Sequence, residues 1–291
     1  MAHGGGATMS KRLLPAAIAL SLGAAPALAR EDVFDVHVHL HDGASSLAEY
    51  RAQNARDGVE AAGFGAMWFG GPNQARAGDI EGARTAHDAL ARLAAANPRM
   101  VPIATVHPHD GEAALAELDR VAALGFKVLK IHPHTQGFDL ADPRVGALVE
   151  RAGARGLVVL VDNAGIVPND TVHLFNLALA HPGTRFVFAH MGGLDFRAWN
   201  ILALARTADG LFADNIYFDI SATVLLAADS PLEEEFVWTM RNVGIDRLLL
   251  GSDFPQFSLG RTLAALDALD LAEEDAAKIR YGNARRLFGL D

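Results

Sequence analysis

The chain contains no cysteine, so no disulfide framework holds it and a large apolar core must supply its stability. It has no glycine-rich phosphate loop of the nucleotide-binding kind, and no nucleotide cofactor is expected. It has no long polar or low-complexity tract; with 291 residues, 51% of them hydrophobic, one large core is the simplest expectation. Basic residues are also in deficit. A formal charge of −10 disfavours nucleic acid and anionic membrane surfaces as partners.

The one long apolar stretch, Leu13 to Leu22, is short for a membrane span. It follows Lys11 and Arg12 and precedes the small-residue run Ala27-Leu28-Ala29, the pattern of a cleaved secretory leader over Met9–Ala29. Residues 1–29 are therefore expected to be an N-terminal extension and signal peptide, with a single domain over 30–291 in a periplasmic or secreted protein that has no membrane partner after cleavage. Removing Lys11 and Arg12 leaves that domain more acidic still.

What is present is a regular alternation. Short β-branched or aromatic runs occur at Val33–His39, Gly65–Phe69, Val101–Val106, Lys127–Ile131, Val158–Val161, Arg185–Ala189, Ile216–Ile220 and Arg247–Gly251, separated by alanine-rich amphipathic stretches such as Gly111–Ala123 and Leu232–Asn242. Strands buried on both faces and joined by helices imply a parallel sheet, and eight such units fit a closed (β/α)8 TIM barrel, an α/β fold. A barrel assembles its site from the C-terminal ends of its strands. Those ends are unusually polar here: His37 and His39, with His41 beyond, on the first; His107 and His109 on the third; Lys130, His132 and His134 on the fourth; Asp162-Asn163 on the fifth; His190 on the sixth; Asp219 and Ser221 on the seventh; Asp253 on the eighth.

His37 and His39 are spaced by two on a strand and share a face, which is chelate geometry for a divalent ion. Asp253 reads as a catalytic carboxylate, although an aspartate after Gly251-Ser252 also suits a turn cap. His190 precedes Met191-Gly192-Gly193, whose small residues admit close approach of a ligand. His132 is a candidate substrate-binding or acid–base group, and Lys130 is expected to pair with Asp162 inside the barrel because a buried lysine needs a partner. Asp35, two residues before His37, is expected to orient it. Trp68 and Phe69 could line a pocket or fill core; His107 and His109 could be ligands or solvated loop; His87, His173 and His181 belong to surface or core.

Five segments in order, Asp35-Val36-His37-Val38-His39, Phe126 to Pro133, Phe186 to Gly193, Gly251 to Pro255 and Ile279 to Gly289, resemble the amidohydrolase superfamily. Over residues 33 to 289 the chain is most similar to the amidohydrolase-related branch that includes aminocarboxymuconate semialdehyde decarboxylase and many metal-dependent hydrolases. The resemblance implies metal ligation by His37, His39, His190 and Asp253. At strand 5 the chain departs from the pattern, with Asp162 where family members commonly place a histidine; Asp162 could serve as an oxygen ligand, or its presence could mark a metal-independent lactonase of the same superfamily.

The leading expectation is a hydrolase of a small-molecule amide, ester or lactone, with a divalent ion, Zn²⁺ first and Mn²⁺ as the alternative, activating water. Asp253 then takes the proton of that water and returns it to the leaving group, while His190 polarises the carbonyl or transfers protons. The runner-up is a metal-dependent decarboxylase on the same site, for which Arg197 and Arg261 are candidate anion-binding groups. A non-catalytic binding barrel is the third reading. The oligomeric state, including a homo-oligomer, is left open.

Overall fold

Apolar, β-branched runs too short for stable helices pair side by side, and the alanine-rich segments between them cover the outer face of the sheet. The computed structural model describes residues 1–3, 32–68 and 75–290. The leader at Met9–Ala29 and Phe69 lie outside them. Residues Asp32–Asp291 make up one unit, and among its described residues no helix is long and apolar enough to cross a membrane.

Eight strands follow in chain order: β1 Phe34–His39, β2 Gly63–Met67, β3 Met100–Thr105, β4 Val128–Ile131, β5 Val158–Val161, β6 Phe186–Phe188, β7 Ile216–Asp219 and β8 Leu248–Leu249. Every neighbouring pair is parallel, in the order β1 to β8. The ends meet: Val36 N–H donates to Leu250 O at 3.0 Å and His39 N–H to Phe254 O at 2.9 Å, which closes the sheet into a (β/α)8 barrel. The helices start where local chemistry dictates. Asp79, Asp142 and Ser258 cap Ile80–Ala95, Pro143–Ala154 and Leu259–Ala268 by accepting backbone N–H groups of the first turn.

All eight strands expected from sequence are present; Val158–Val161 has the expected bounds and the other seven differ by one or two residues at one or both ends. Strand β2 starts two residues earlier than its hydrophobic run suggests. Strand β3 stops at Thr105 because His107 turns to cap the short helical turn Pro108–Asp110. The β8 ladder is brief because Leu250 N–H is diverted to Ile279 O, 3.1 Å away.

Two apolar layers result. Outward residues such as Leu129, Ile131, Val159, Val161, Phe188 and Phe218 pack beneath the helices. Inward residues Phe34, Val36, Val101, Ile103, Val128, Val158, Leu160, Val187 and Leu249 fill the lower barrel, with Ala284, Leu287 and Phe288 of the C-terminal helix Asn283–Phe288 packed against them.

Strand β1 carries an irregularity that its sequence does not announce. Phe34 and Asp35 pair with Gly63 and Phe64, whereas Val38 and His39 pair with Ala66 and Met67, so β1 holds one extra residue: a β-bulge. Below the bulge Phe34 and Val36 face inward; above it the alternation is reversed, and Val38 packs in the outer layer with Leu47, Tyr50 and Phe64. Gly65 lies opposite the bulge, where a Cβ would stand 3.0 Å from Val36 O and 3.1 Å from Ile103 Cδ1, a contact tight enough to push on the bulged backbone.

Candidate metal and proton-transfer site

The bulge delivers His37 and His39 together to the upper barrel. Their Nε2 atoms are 3.1 Å apart. Asp253, brought in from beyond β8, places Oδ1 3.5 Å from His37 Nε2 and 3.3 Å from His39 Nε2. Around a divalent ion with bonds of about 2.1 Å, neighbouring donors are about 3.0–3.4 Å apart, so these three atoms have the spacing of one coordination face. The donor chemistry agrees with that fit. His37 Nδ1 lies 2.6 Å from Asp219 Oδ2, and burial, reinforced by Lys130, pushes the His37 imidazolium pKa down to about 4. The ring is therefore neutral, its proton on Nδ1 is donated to Asp219, and the Nε2 lone pair faces the cluster.

Asp219 is the residue that sequence reasoning missed as the orienting group. Asp35, expected in that role, lies on the outer side of the bulge: its Oδ1 accepts the backbone N–H groups of His37 (3.1 Å) and Ser252 (2.8 Å), and its Oδ2 accepts from Tyr50 Oη (3.0 Å). It holds the backbone of the site, not the imidazole. Burial raises its pKa to about 6. The signal for Asp219 was its place at the end of β7, together with Gly251 two residues beyond β8. A Cβ on Gly251 would come within 2.6 Å of Asp219 Oδ1 and 2.9 Å of His37 Cβ.

A second group of side chains surrounds Asp162. Its Oδ2 is 3.2 Å from His190 Nε2, 3.3 Å from His132 Nε2 and 3.6 Å from Lys130 Nζ. The expected Lys130–Asp162 pair is thus formed, and Lys130, fully buried, also reaches His37 Nε2 at 3.2 Å. Burial alone would raise Asp162, but Lys130 and His190 outweigh it and hold the carboxyl well below its usual range. Asp162 is not among the atoms that converge with His37, His39 and Asp253.

His190 bridges the two groups. Its ring stacks on His37 with centroids 5.2 Å apart, and Nδ1 lies 3.0 Å from Ser221 Oγ. Burial disfavours its charge, yet the Asp162 carboxylate and the nearby Asp219 and Asp253 outweigh that and raise its pKa to about 9. The opposite balance holds at Asp253, where the histidines overcome burial and bring the carboxyl down to about 2. Burial, with Lys130 and neighbouring rings, lowers His132 to about 3 and leaves it neutral. His190, Met191 and Asp253 all have left-handed backbone, φ 57°, 47° and 59°, a strain of about 1–3 kcal/mol per residue of the kind found where side chains are aimed for function.

Other candidates stand apart. His107 is buried with Nε2 3.0 Å from Gln136 O, and His109 lies 3.4 Å from Asp142. His87 is core, tied to Glu117 at 2.6 Å and to Thr105 N–H. Arg197 is engaged on the surface by Glu235 at 2.7 Å, and Arg261 lies over the Phe257 ring at 5.8 Å.

Among known proteins, a gamma-resorcylate decarboxylase from Rhizobium radiobacter is 28% identical over 255 residues, covering 73% of this chain and 77% of the relative. The fold is shared with a 5-carboxyvanillate decarboxylase from Sphingomonas paucimobilis (18% identity, TM-score 0.69, 90% of this chain and all of that one). It is shared also with a dihydroxybenzoic acid decarboxylase from Polaromonas sp. JS666 that carries manganese and the inhibitor 2-nitroresorcinol (19% identity, TM-score 0.65, 89% of this chain and 97% of that one). The family model described as Amidohydrolase matches residues 34–290, and the chain belongs to that family.

Proposed function

We propose that this protein is a metal-dependent decarboxylase of small hydroxylated aromatic carboxylates. The similarity to the gamma-resorcylate decarboxylase along most of the barrel carries this reading, and it displaces the hydrolase expected first from sequence. Manganese in a related structure makes Mn²⁺ the ion to test before Zn²⁺. His37, His39 and Asp253 would hold the ion, which supplies positive charge to bind a carboxylate and an adjacent phenolic oxygen.

Decarboxylation of such a ring requires a proton on the carbon that bears the carboxylate; the carbon–carbon bond then breaks, its electron pair returns to the ring, and CO₂ departs. His190, which lies between Asp162 and Ser221 and stacks on His37, would be the group that delivers this proton. Ser221 and Asp162 fix its two nitrogens. Lys130 and neutral His132 complete a polar wall that suits an anionic substrate.

The test is incubation of the Mn²⁺-loaded protein with 2,6-dihydroxybenzoate, measuring CO₂ and resorcinol. Stoichiometric CO₂ is expected. One observation favours hydrolysis as a second reading: Asp253, held as a carboxylate, is in the state required of a base toward water. Opening of aromatic lactones without release of CO₂ from any hydroxybenzoate would select that reading. We propose further that the protein is exported through the Met9–Ala29 leader, to be checked by the N-terminal sequence of protein from the periplasmic fraction.

A further inference from the structure

His37 Nε2 has a single lone pair, for which His39 Nε2 at 3.1 Å, the Lys130 ammonium and any bound cation compete. Its Nδ1–H is committed to Asp219, so Nε2 alone can serve the cluster with His39 and Asp253. The Lys130 ammonium, on the inner face of β4 and shielded from solvent, stands 3.2 Å from that same atom. A nitrogen lone pair cannot accept an N–H bond and coordinate a cation at once. We propose that Lys130 competes with the divalent ion for His37 Nε2 and so sets how tightly the metal is held, an inference that rests on the reading of His37, His39 and Asp253 as the metal centre.

Lys130 Nζ stands between the two groups, 3.2 Å from His37 Nε2 and 3.6 Å from Asp162 Oδ2. In the proposed exchange the ammonium occupies the cation's place against His37 whenever no metal is bound. With metal, Lys130 must withdraw, and Asp162 is the carboxylate already beside it, 3.6 Å away. The pair is then internally neutral beside a divalent charge. In this arrangement Asp162 acts as the acceptor for the displaced lysine, with His132 and His190 holding its Oδ2 on the other sides. The two members of the pair therefore have opposite effects on the ion: Lys130 repels and competes, and Asp162 attracts and draws the competitor away.

Calorimetric titration of chelator-treated protein with MnCl₂ tests this, with circular dichroism to confirm that each variant is folded. Lys130→Met removes the competitor and leaves Asp162, so Mn²⁺ affinity should rise at least about tenfold. Asp162→Asn removes the withdrawal site and leaves an uncompensated cation, so affinity should fall at least about tenfold. A purely structural role would weaken binding in both variants, and because the second variant carries its own signed expectation, failure of the first to fold does not spare the proposal. Binding in the wild type that is unchanged or weaker in Lys130→Met overturns the role of Lys130 and leaves the metal centre standing. Absence of binding in both the wild type and Lys130→Met at millimolar Mn²⁺ overturns both.

Discussion

Replacing Asp219 by asparagine should disable the metal centre without touching any of its donors. Asp219 is completely buried and makes two bonds: Oδ1 accepts the Ser221 N–H at 2.7 Å, and Oδ2 accepts from His37 Nδ1 at 2.6 Å. Asparagine has one acceptor oxygen. The buried backbone N–H of Ser221 retains it, since an orphaned donor costs about 1–3 kcal/mol. The new amide NH₂ then faces His37 Nδ1, where two donors cannot meet, and His37 escapes the clash by moving its proton to Nε2. That tautomer presents an N–H, which Asp253 can accept but which leaves no lone pair for a cation. Loss of such an orienting carboxylate typically lowers metal affinity about 10–100-fold, or roughly 1.4–2.7 kcal/mol. The metal-free fold should also lose about 1.5–3 kcal/mol with the charged hydrogen bond. Titration with Mn²⁺ alongside urea denaturation of chelator-treated protein measures both. Affinity within twofold of the wild type would refute the assignment of the His37 tautomer and, with it, the orienting role of Asp219.

Gly251→Ala should cost about 1–3 kcal/mol by overpacking and weaken Mn²⁺ binding as well, because the added methyl meets Asp219 and His37 rather than a yielding side chain; a thermal melt and the same titration decide it. At Asp35 the contrast between substitutions is the test. Asp35→Ala strands the backbone N–H groups of His37 and Ser252 and should cost about 2–4 kcal/mol, whereas Asp35→Asn keeps an acceptor for them and should cost less than about 1 kcal/mol in urea titrations at pH 7. For pH dependence, the folded-state pKa of His190, about 9, exceeds the unfolded value of 6.5. Its contribution is complete below about pH 6.5 and is lost as pH rises through 9, so the metal-free protein should lose roughly 3 kcal/mol between those limits. A flat stability profile over that range would contradict a protonated His190, and His190→Asn should remove the slope.

The barrel was legible because its strands are short, β-branched and separated by helical patterns, and because polar residues accumulate at the same end of seven of the eight runs. His37 and His39 could be placed together from their spacing alone, and Lys130 with Asp162 from the cost of burying a lone ammonium. The bulge in β1 was not legible. It arises from pairing with β2, where Gly65 leaves space for Val36 O, and nothing within Val33–His39 marks it. Counting by twos through that segment assigns Asp35 to the face of His37, whereas the extra residue turns Asp35 outward to Tyr50. The partnership of Asp219 with His37 was hidden for a similar reason, since it joins strands 1 and 7 across a closed ring.

The C-terminal helix Asn283–Phe288 gives the barrel a floor. Phe288 meets Phe34 at 5.8 Å between ring centroids, and Leu287 and Ala284 join the same inward layer, so the lower end is filled by side chains from the last turns of the chain. Among the described residues that end is plugged, and the polar strand ends lie at the other. Under the proposed function, a substrate for His190 and Asp253 would approach from the strand ends, and its products would leave on that side. On the proposed decarboxylation, the aromatic product would leave past the same strand ends that admit its precursor, and the two would compete there.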